Sequence, residues 1–469
     1  MISFSFNRDF YFYICTKGKA ILAKYSMSKE KSILVVGAGK SSSHLIQYLL
    51  KQSEANKWIV KIADRDIDSV KKKLHAHPNG RAVRIDLQND AQRKELIDEA
   101  DIVVSLLPPS LHIILARDCV KFSTSLVTAS YVSEEILAMD EAAKKAGIIV
   151  LNEMGADPGI DHMSSMEIIH GIHKVGGRVT SFHSFTGGLV SKESDDNPWH
   201  YKVAWNPWNI VRAGSAGGRY KMNGFPCDVS YSNLYKDCEL IKVPGYGELA
   251  YYVNRDSYAY VDSYGLEHAT TVLRGTLRHA DFCKGWDVLV NLGLTDDKDR
   301  SVKKGKSFKD WFIEKSVQVP GDTAEDKISN LTDEQKVLDL LQYLEVYSDE
   351  HIQIDGEISS ARVLQYLIEK NLKLADSDKD LIVMQHEVEY ESKGIHSTLK
   401  STMLVKGQDN VYTAMSKCVG LPMAIFVKNY LNGKFEGLSG VFIPTERKIY
   451  EPVLMELKKY GVQFNEEIS

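Results

Sequence analysis

Cysteine is scarce and scattered. Six occur in 469 residues, Cys15, Cys119, Cys227, Cys238, Cys283 and Cys418, with no C-x-x-C pair. That spacing suits neither a zinc site nor a disulfide framework, so reduced thiols and a cytoplasmic location are expected. No apolar run approaches the roughly 20 residues of a membrane span, so no membrane partner is expected. A basic excess is missing too: 58 Lys and Arg against 63 Asp and Glu leave a net charge of -5. That balance argues against nucleic acid as a partner. Internal repeats and low-complexity segments are also absent. The remaining composition, 43% hydrophobic and 26% charged, is that of a globular chain too long for one core, and two or three domains are expected.

The first residues differ in texture from the rest. "MISFSFNRDFYFYICTKGKAILAKYS" lacks the basic start, continuous apolar core and small-residue cleavage site of a secretory signal. Residues 1–30 read as a leader, with Met27 as the natural start or the leader as a poorly ordered appendage; a targeting peptide is the other reading.

From Ser32 onward, apolar strands alternate with helical patterns. Ile33–Val36, Trp58–Ala63, Ala82–Ile85, Ile102–Leu106, Ser125–Thr128 and Ile148–Leu151 read as strands, with helices between them. Such alternation predicts a doubly wound parallel α/β sheet over 31–156. After Asn152 the pattern turns mixed, with strands at Val179–Thr186 and Thr271–His279 and a helix near Asp281–Leu292. The stretch from Phe308 to Leu374 is purely helical in period. "DLIVMQHEVEYESKGIHSTLKSTMLVKG" alternates around Lys393-Gly394 as a hairpin should. The expected organisation is therefore a mixed α+β domain over 157–300 and 376–410, an all-helical insertion over 301–375, and C-terminal helices over 411–469 packing back on the first domain.

"ILVVGAGKSSSHL" holds the chemistry of the first domain. Gly39-Lys40-Ser41 imitates the tail of a P-loop, but the first glycine of G-x-x-x-x-G-K-[ST] falls on Leu34, inside the strand, and the loop is too short to wrap a triphosphate. A dinucleotide turn needs only Gly37 for the turn and Gly39 for close approach of a pyrophosphate, with Ser42 as the small packing residue. Gly37, Ala38, Gly39, Lys40 and Ser41 are thus candidate cofactor-binding residues. Asp64 ends the second strand, where an acid accepts the adenosine-ribose hydroxyls and favours NAD; Arg65 beside it could pair a 2′-phosphate and favour NADP.

Longer motifs carry a resemblance. "NEMGADPGIDHM" (152–163), "NRDS" (254–257), "TTVLRGTLRH" (270–279), "SLLPPSLH", "VTASY", "DDNPWHYKVAW" and "VMQHEVEY" are similar to saccharopine dehydrogenase of the glutamate-forming type, over nearly everything from Ser32 to about Val462. The resemblance implies a Rossmann domain, a mixed-sheet substrate and dimerisation domain, an inserted helical domain and a homodimer. It implies NAD(P)-dependent oxidation of saccharopine to glutamate and 2-aminoadipate 6-semialdehyde, or the reverse condensation, in lysine metabolism. It carries catalysis onto Asp157 and substrate binding onto Ala129, Ser130, Asp157, Arg255, Thr276, Leu277 and Arg278. It adds Asp86, Leu87, Leu107, Thr128, Ala129, Ala156 and Pro158 to the cofactor set. Arginines suit a substrate with three carboxylates because their planar forks match carboxylates bidentately.

Read without the resemblance, Asp157 is a helix cap, and Arg255 and Arg278 are ordinary ion-pairing residues. The chain also departs from the family pattern. Asp64-Arg65-Asp66 replaces a Cys-Arg-Thr suited to a 2′-phosphate, which leans to NAD without excluding NADP. Thr186, Pro109 and Ala129 stand where the family has cysteine, tyrosine and serine. No metal is expected: His112, His162, His170, His173 and His386 read as capped or solvated. Two alternatives stay open, a dehydrogenase of another carboxylated secondary amine (carboxyspermidine type) and a non-catalytic nucleotide-binding protein.

Overall fold

Two sheets organise the chain in the computed structural model, which describes residues 30–469 and, before them, only the backbone of an antiparallel strand pair, Phe10–Thr16 with Lys19–Tyr25. The rest of the expected leader lies outside the described residues.

The first sheet has seven parallel strands in the order Gly440–Phe442, Ile149–Leu151, Ser125–Thr128, Ile102–Ser105, Ser32–Val36, Ile59–Asp64, Gly80–Arg84. Ser32–Val36 is buried along its whole length, as an apolar run must be when helices cover both faces. It pairs with Ile59–Asp64 on one side and Ile102–Ser105 on the other. The strand order reverses there, so a crevice opens at the carboxyl ends of these strands. Sequence punctuation sets the helix boundaries. Asp66 caps Ile67–Leu74 by accepting the N–H groups of Asp68 and Ser69, and Pro108-Pro109 breaks the chain after Ile102–Ser105.

The second sheet has nine strands. Its centre is Arg178–Val190, parallel to Thr271–Arg278 on one side and antiparallel to Asp380–Ser392 on the other. Asp380–Ser392 and Ile395–Lys406 form the hairpin around Lys393-Gly394. The strand at 380–392 thus returns to the sheet that the chain left after 278. Between them, the helices Phe308–Lys315, Ala324–Leu331, Gln335–Tyr343 and Ser360–Asn371 share one apolar core with Ala280–Asn291. Trp199, Trp286 and Trp311 are almost fully buried in it, each contributing about 1.5–3 kcal/mol or more by burial. Their polar edges are partly tied down: the Trp199 indole N–H donates to the Leu340 carbonyl at 2.9 Å and that of Trp311 to Ser360 Oγ at 3.0 Å.

The C-terminal segment differs from expectation. Ala414–Leu431 and Arg447–Leu457 are helices, but Gly440–Phe442 adds an edge strand to the first sheet and Asn465–Ile468 adds one to the second. Strands of three and four residues are too short to carry a readable period, and pairing recruits them. Ala414–Leu431 packs across Ser43–Asn56, and the Asp380 carboxylate accepts the N–H groups of Ala414 and Met415 at 2.6 and 2.8 Å. A negative charge at a helix N-terminus is stabilising, and here it links the two halves beside the crevice.

Candidate active site

A cleft of about 610 Å³ lies between the two sheets. One wall consists of turns at the carboxyl ends of the parallel strands, including Gly39–Ser42, Ser105–Pro109, Thr128–Tyr131 and Gly155–Pro158. The other comes from the second sheet through Thr186, Asn254, Arg255, Thr276 and Arg278.

At the first wall, Gly37 has φ +103° and an added Cβ would meet the Leu106 carbonyl oxygen at 3.0 Å, so both conformation and space require glycine. A Cβ at Gly39 would meet nothing within 4 Å, which leaves its surface open to a ligand. Ser42 is buried, and its hydroxyl donates back to the Gly39 carbonyl at 2.8 Å. The Asp64 carboxylate accepts the N–H groups of Ala38 at 2.7 Å and Asp66 at 2.9 Å. Lys73 donates to the Gly39 carbonyl at 2.6 Å and to Ser42 Oγ at 2.7 Å, and burial pulls its ammonium down to about 8. This open glycine turn, feeding the helix Ser43–Asn56 with a lysine beside it, fits a dinucleotide pyrophosphate.

The expected cofactor residues separate into three groups. Gly39, Lys40, Ser41, Leu107, Thr128, Ala129, Ala156 and Pro158 line the cleft. Gly37 and Ala38 are buried beside it. Asp64, Arg65, Asp86 and Leu87 follow the neighbouring strand ends outside the cleft lining, with Asp64 tied to the turn through Ala38. Next to Thr128 lies His112, whose ring nitrogens meet Ser105 Oγ and Ser130 Oγ at 2.8 Å each. Burial pulls this imidazole down to about 4, so it is neutral at pH 7.

Asp157 stands at the centre of the opposite end. Its loop closes tightly: Gly159 has φ +147° and an added Cβ would lie 2.1 Å from the Gly155 carbonyl oxygen. Arg274 donates to Asp157 Oδ1 at 2.5 Å and to Asp161 Oδ2 at 2.6 Å. The Asn254 amide donates to both Asp157 oxygens, at 3.1 and 2.9 Å, and the Tyr131 hydroxyl donates at 3.2 Å. The side chain of Asp157 is 13% exposed, against 2% for Arg274 and 1% for Asp161, so of the three it is the one presented to the cleft. Burial raises the Asp157 carboxyl above its ordinary value despite Arg274. For Asp161 burial also pushes upward, but His162, Arg274 and the Gly159 N–H outweigh it and hold that carboxylate below the usual value. The two carboxyl groups are therefore tuned apart, a pattern typical of sites that move protons.

The cations converge on the same space. Arg255, at φ +51°, places its guanidinium 4.6 Å from the Tyr131 ring centre. Arg278 lies 5.1 Å from the Tyr201 ring centre and 5.4 Å from that of Phe282. Three buried polar atoms here have no hydrogen-bond partner: Arg278 Nε, Arg274 Nη1 and Thr186 Oγ1. Unsatisfied buried donors beside a cleft call for an acceptor, and the acceptor that suits guanidinium is a carboxylate.

Ala129, Ser130, Asp157, Arg255, Thr276 and Arg278 are thus brought together along the cleft. The side chain of Leu277 is not: the two-residue period of the strand turns it into the core of the second sheet, and its carbonyl accepts from Arg278 Nη1 at 2.7 Å. Sequence reasoning missed Arg274, Asn254, Tyr131 and Asp161 as site residues. Arg274 was within reach, because 274, 276 and 278 share one face of a strand. For the others only their place inside the quoted motifs offered a signal.

Two family models match the chain, the saccharopine dehydrogenase NADP binding domain over residues 33–151 and the saccharopine dehydrogenase C-terminal domain over residues 155–462. Saccharopine dehydrogenase [NADP(+), L-glutamate-forming] of Pyricularia oryzae is 31% identical over 93% of this chain and 99% of its own, and that of Schizosaccharomyces pombe is 29% identical with the same coverage. Alpha-aminoadipic semialdehyde synthase of Arabidopsis thaliana is 31% identical over 95% of this chain and 46% of its own length. The apo structure of saccharopine dehydrogenase (L-Glu forming) from Saccharomyces cerevisiae superposes with a TM-score of 0.82 at 28% identity, covering 94% of this chain and 100% of that one. Two domain models in sequence order, full-length relatives and a matching architecture agree: the chain belongs to the saccharopine dehydrogenase family.

Proposed function

We propose that this protein interconverts saccharopine with L-glutamate and 2-aminoadipate 6-semialdehyde using NAD(P), a step of lysine metabolism. The observation that carries the proposal is the convergence of Arg255 and Arg278, with its unpartnered Nε, on a cleft that also holds Asp157 and opens at the glycine turn. Saccharopine has three carboxylates joined through a secondary amine. Arg255 and Arg278 bind carboxylates of this substrate, Thr276 and Ser130 add neutral donors, and Asp157 faces the amine.

Gly37–Ser41 and Asp64 would hold the dinucleotide, whose nicotinamide supplies the hydride acceptor for the C–H next to the amine. The chain's own part is proton management. With its pKa raised by burial, Asp157 is suited to take a proton from the water that adds to the imine carbon and to return it to the departing amine nitrogen. Arg274 and Asn254 keep this carboxyl from rotating away, and its charge is balanced by Arg274 when it is ionised.

NAD is the preferred cofactor in this reading, although the relatives and the family model are named for NADP. Each Asp64 oxygen accepts one backbone N–H and keeps a second lone pair for a ribose hydroxyl, whereas a 2′-phosphate would be set against this carboxylate. A homodimer and a cytoplasmic location complete the reading.

The test mixes the protein with glutamate, 2-aminoadipate semialdehyde and either NADH or NADPH, and follows the near-ultraviolet absorbance of the reduced nicotinamide. Consumption is expected with both and faster with NADH. Tight NADH binding without consumption would overturn the enzymatic reading in favour of a nucleotide-binding protein. Asp64→Ser is expected to move the NADH/NADPH ratio of kcat/KM toward NADPH by about tenfold, equivalent to about 1.4 kcal/mol; an unchanged ratio removes Asp64 as the discriminator.

A further inference from the structure

Behind Arg278, outside the cleft lining, Asp195, His200 and His279 form a cluster in which one ligand atom from each lies within 4.8 Å of the others. Among the described residues it is the one grouping of three His, Cys, Asp or Glu side chains with this spacing. Its parts come from two distant segments. His279 opens the helix Ala280–Asn291 directly after the strand that carries Arg278. Asp195 and His200 belong to a turn organised by Asn197, which accepts the Trp199 N–H at 3.0 Å and donates to the Tyr201 carbonyl at 3.1 Å.

Three features set this cluster apart from an ordinary surface ion pair. His200 holds φ +48°, a left-handed conformation that residues other than glycine seldom adopt, and its imidazole meets Asp195 with Nδ1 2.7 Å from Oδ2. The other carboxylate oxygen, Asp195 Oδ1, is buried with no hydrogen-bond partner. His279 has one ring nitrogen fixed by the Tyr246 hydroxyl at 2.7 Å, the outer support that metal-bound imidazoles usually have, which leaves its other nitrogen for a ligand. The nearby Lys192 ammonium donates to the Tyr246 carbonyl at 2.8 Å, so it is engaged elsewhere.

We propose that Asp195, His200 and His279 form a binding site for a divalent transition ion of the zinc type, with water in the fourth position. Two imidazoles and a carboxylate are a common ligand set for such ions. Tetrahedral coordination at bond lengths of about 2.0 Å places ligand atoms about 3.3 Å apart. The three ligand atoms lie within 4.8 Å of one another, and the two imidazole rings pack with centres 4.5 Å apart at 31°, so closing on an ion requires the rings to turn toward it. The ion would staple the 195–200 turn to the end of the strand 271–278, joining the segment that holds Tyr201 to the one that holds Arg278. This assignment goes beyond the proposed activity, does not depend on it, and departs from the expectation that the chain binds no metal.

The test is a Co²⁺ titration of the full chain after chelator treatment. One ion per chain, with the intense visible absorption of tetrahedral Co²⁺ and displacement by Zn²⁺, is expected, together with a rise in Tm on adding Zn²⁺. His200→Gly removes a ligand while suiting the backbone at φ +48°, so this variant should be at least as stable as the wild type without metal, and should lose the Co²⁺ signal and the Zn²⁺-dependent rise in Tm. Asp195→Asn should weaken binding by at least tenfold. An unchanged far-ultraviolet circular dichroism spectrum and a cooperative melt report that both variants are folded. Absence of stoichiometric Co²⁺ binding by the wild type, or its retention in folded His200→Gly, would overturn the site.

Discussion

The two walls of the cleft are built by different means. At the glycine turn the work falls to the backbone: the Gly37 and Ala38 N–H groups shape the turn by donating to the Ala63 carbonyl at 2.9 Å and to Asp64 at 2.7 Å, Gly39 leaves room for a ligand, and the side chains behind them, such as Ser42, are small. On the far wall the work falls to side chains that the fold has stripped of water, with Arg274 and Arg278 buried and Arg274 reaching across to the equally buried Asp161. A backbone site is local and tolerates variation at most positions, whereas a buried charge network depends on every partner being present. The second wall should therefore be more fragile in stability and more specific in chemistry.

The sharpest way to break this comparison is Arg274→Met, which leaves Asp157 and Asp161 buried without their shared cation. A loss of about 3–5 kcal/mol is expected, read by urea unfolding, while a small methylene-level loss would mean that the two carboxyls share a proton and need no arginine. Asp157→Asn keeps the shape and should lower kcat by about 10²–10⁴-fold with dinucleotide affinity unchanged; a rate within a few-fold of wild type would remove Asp157 from proton transfer. Arg278→Ala should raise the saccharopine KM by about 10- to 100-fold, as expected for one charged hydrogen-bonding group, and spare NADH binding. Equal losses for both ligands would identify Arg278 as structural.

A pH-dependent effect tests the quieter wall. Burial holds His112 at about 4 against an ordinary 6.5. Between those values the unfolded chain binds a proton that the folded chain does not, so stability falls as pH is lowered from 6.5 toward 4. His112→Asn should flatten the slope in that window by about 1.4 kcal/mol per pH unit, measured as unfolding free energy at stepped pH; parallel slopes would mean that the site opens to water.

Legibility followed the same division. Gly37, Gly39 and Asp64 were readable because a dinucleotide turn is a short-range pattern, a fixed spacing after a buried strand and a second strand ending in an acid. Asp157, Arg255 and Arg278, which line one cleft, were singled out through resemblance to a family; their local contexts, a proline-flanked aspartate and arginines in strand-like runs, also fit a cap and surface ion pairs. Arg274, which makes the closest contact with Asp157, went unread although it shares a strand face with Arg278, since period alone does not tell which face meets a cleft. The C-terminal strands at 440–442 and 465–468 were invisible for a related reason: segments this short carry no period, and partners elsewhere in the chain make them strands.

By itself the sequence determined the alternation of buried strands and helices, the turn at Gly37–Ser42 and the hairpin at Lys393-Gly394, because each depends on residues within one or two elements. Only the tertiary structure decided that Asn254, Arg274 and Tyr131 meet on one carboxyl group, that Asp157 and Asp161 are tuned in opposite directions, and that Asp195 and His200 stand against His279. Those outcomes come from desolvation and from contacts between segments about 25 to 145 residues apart, and no local pattern encodes either.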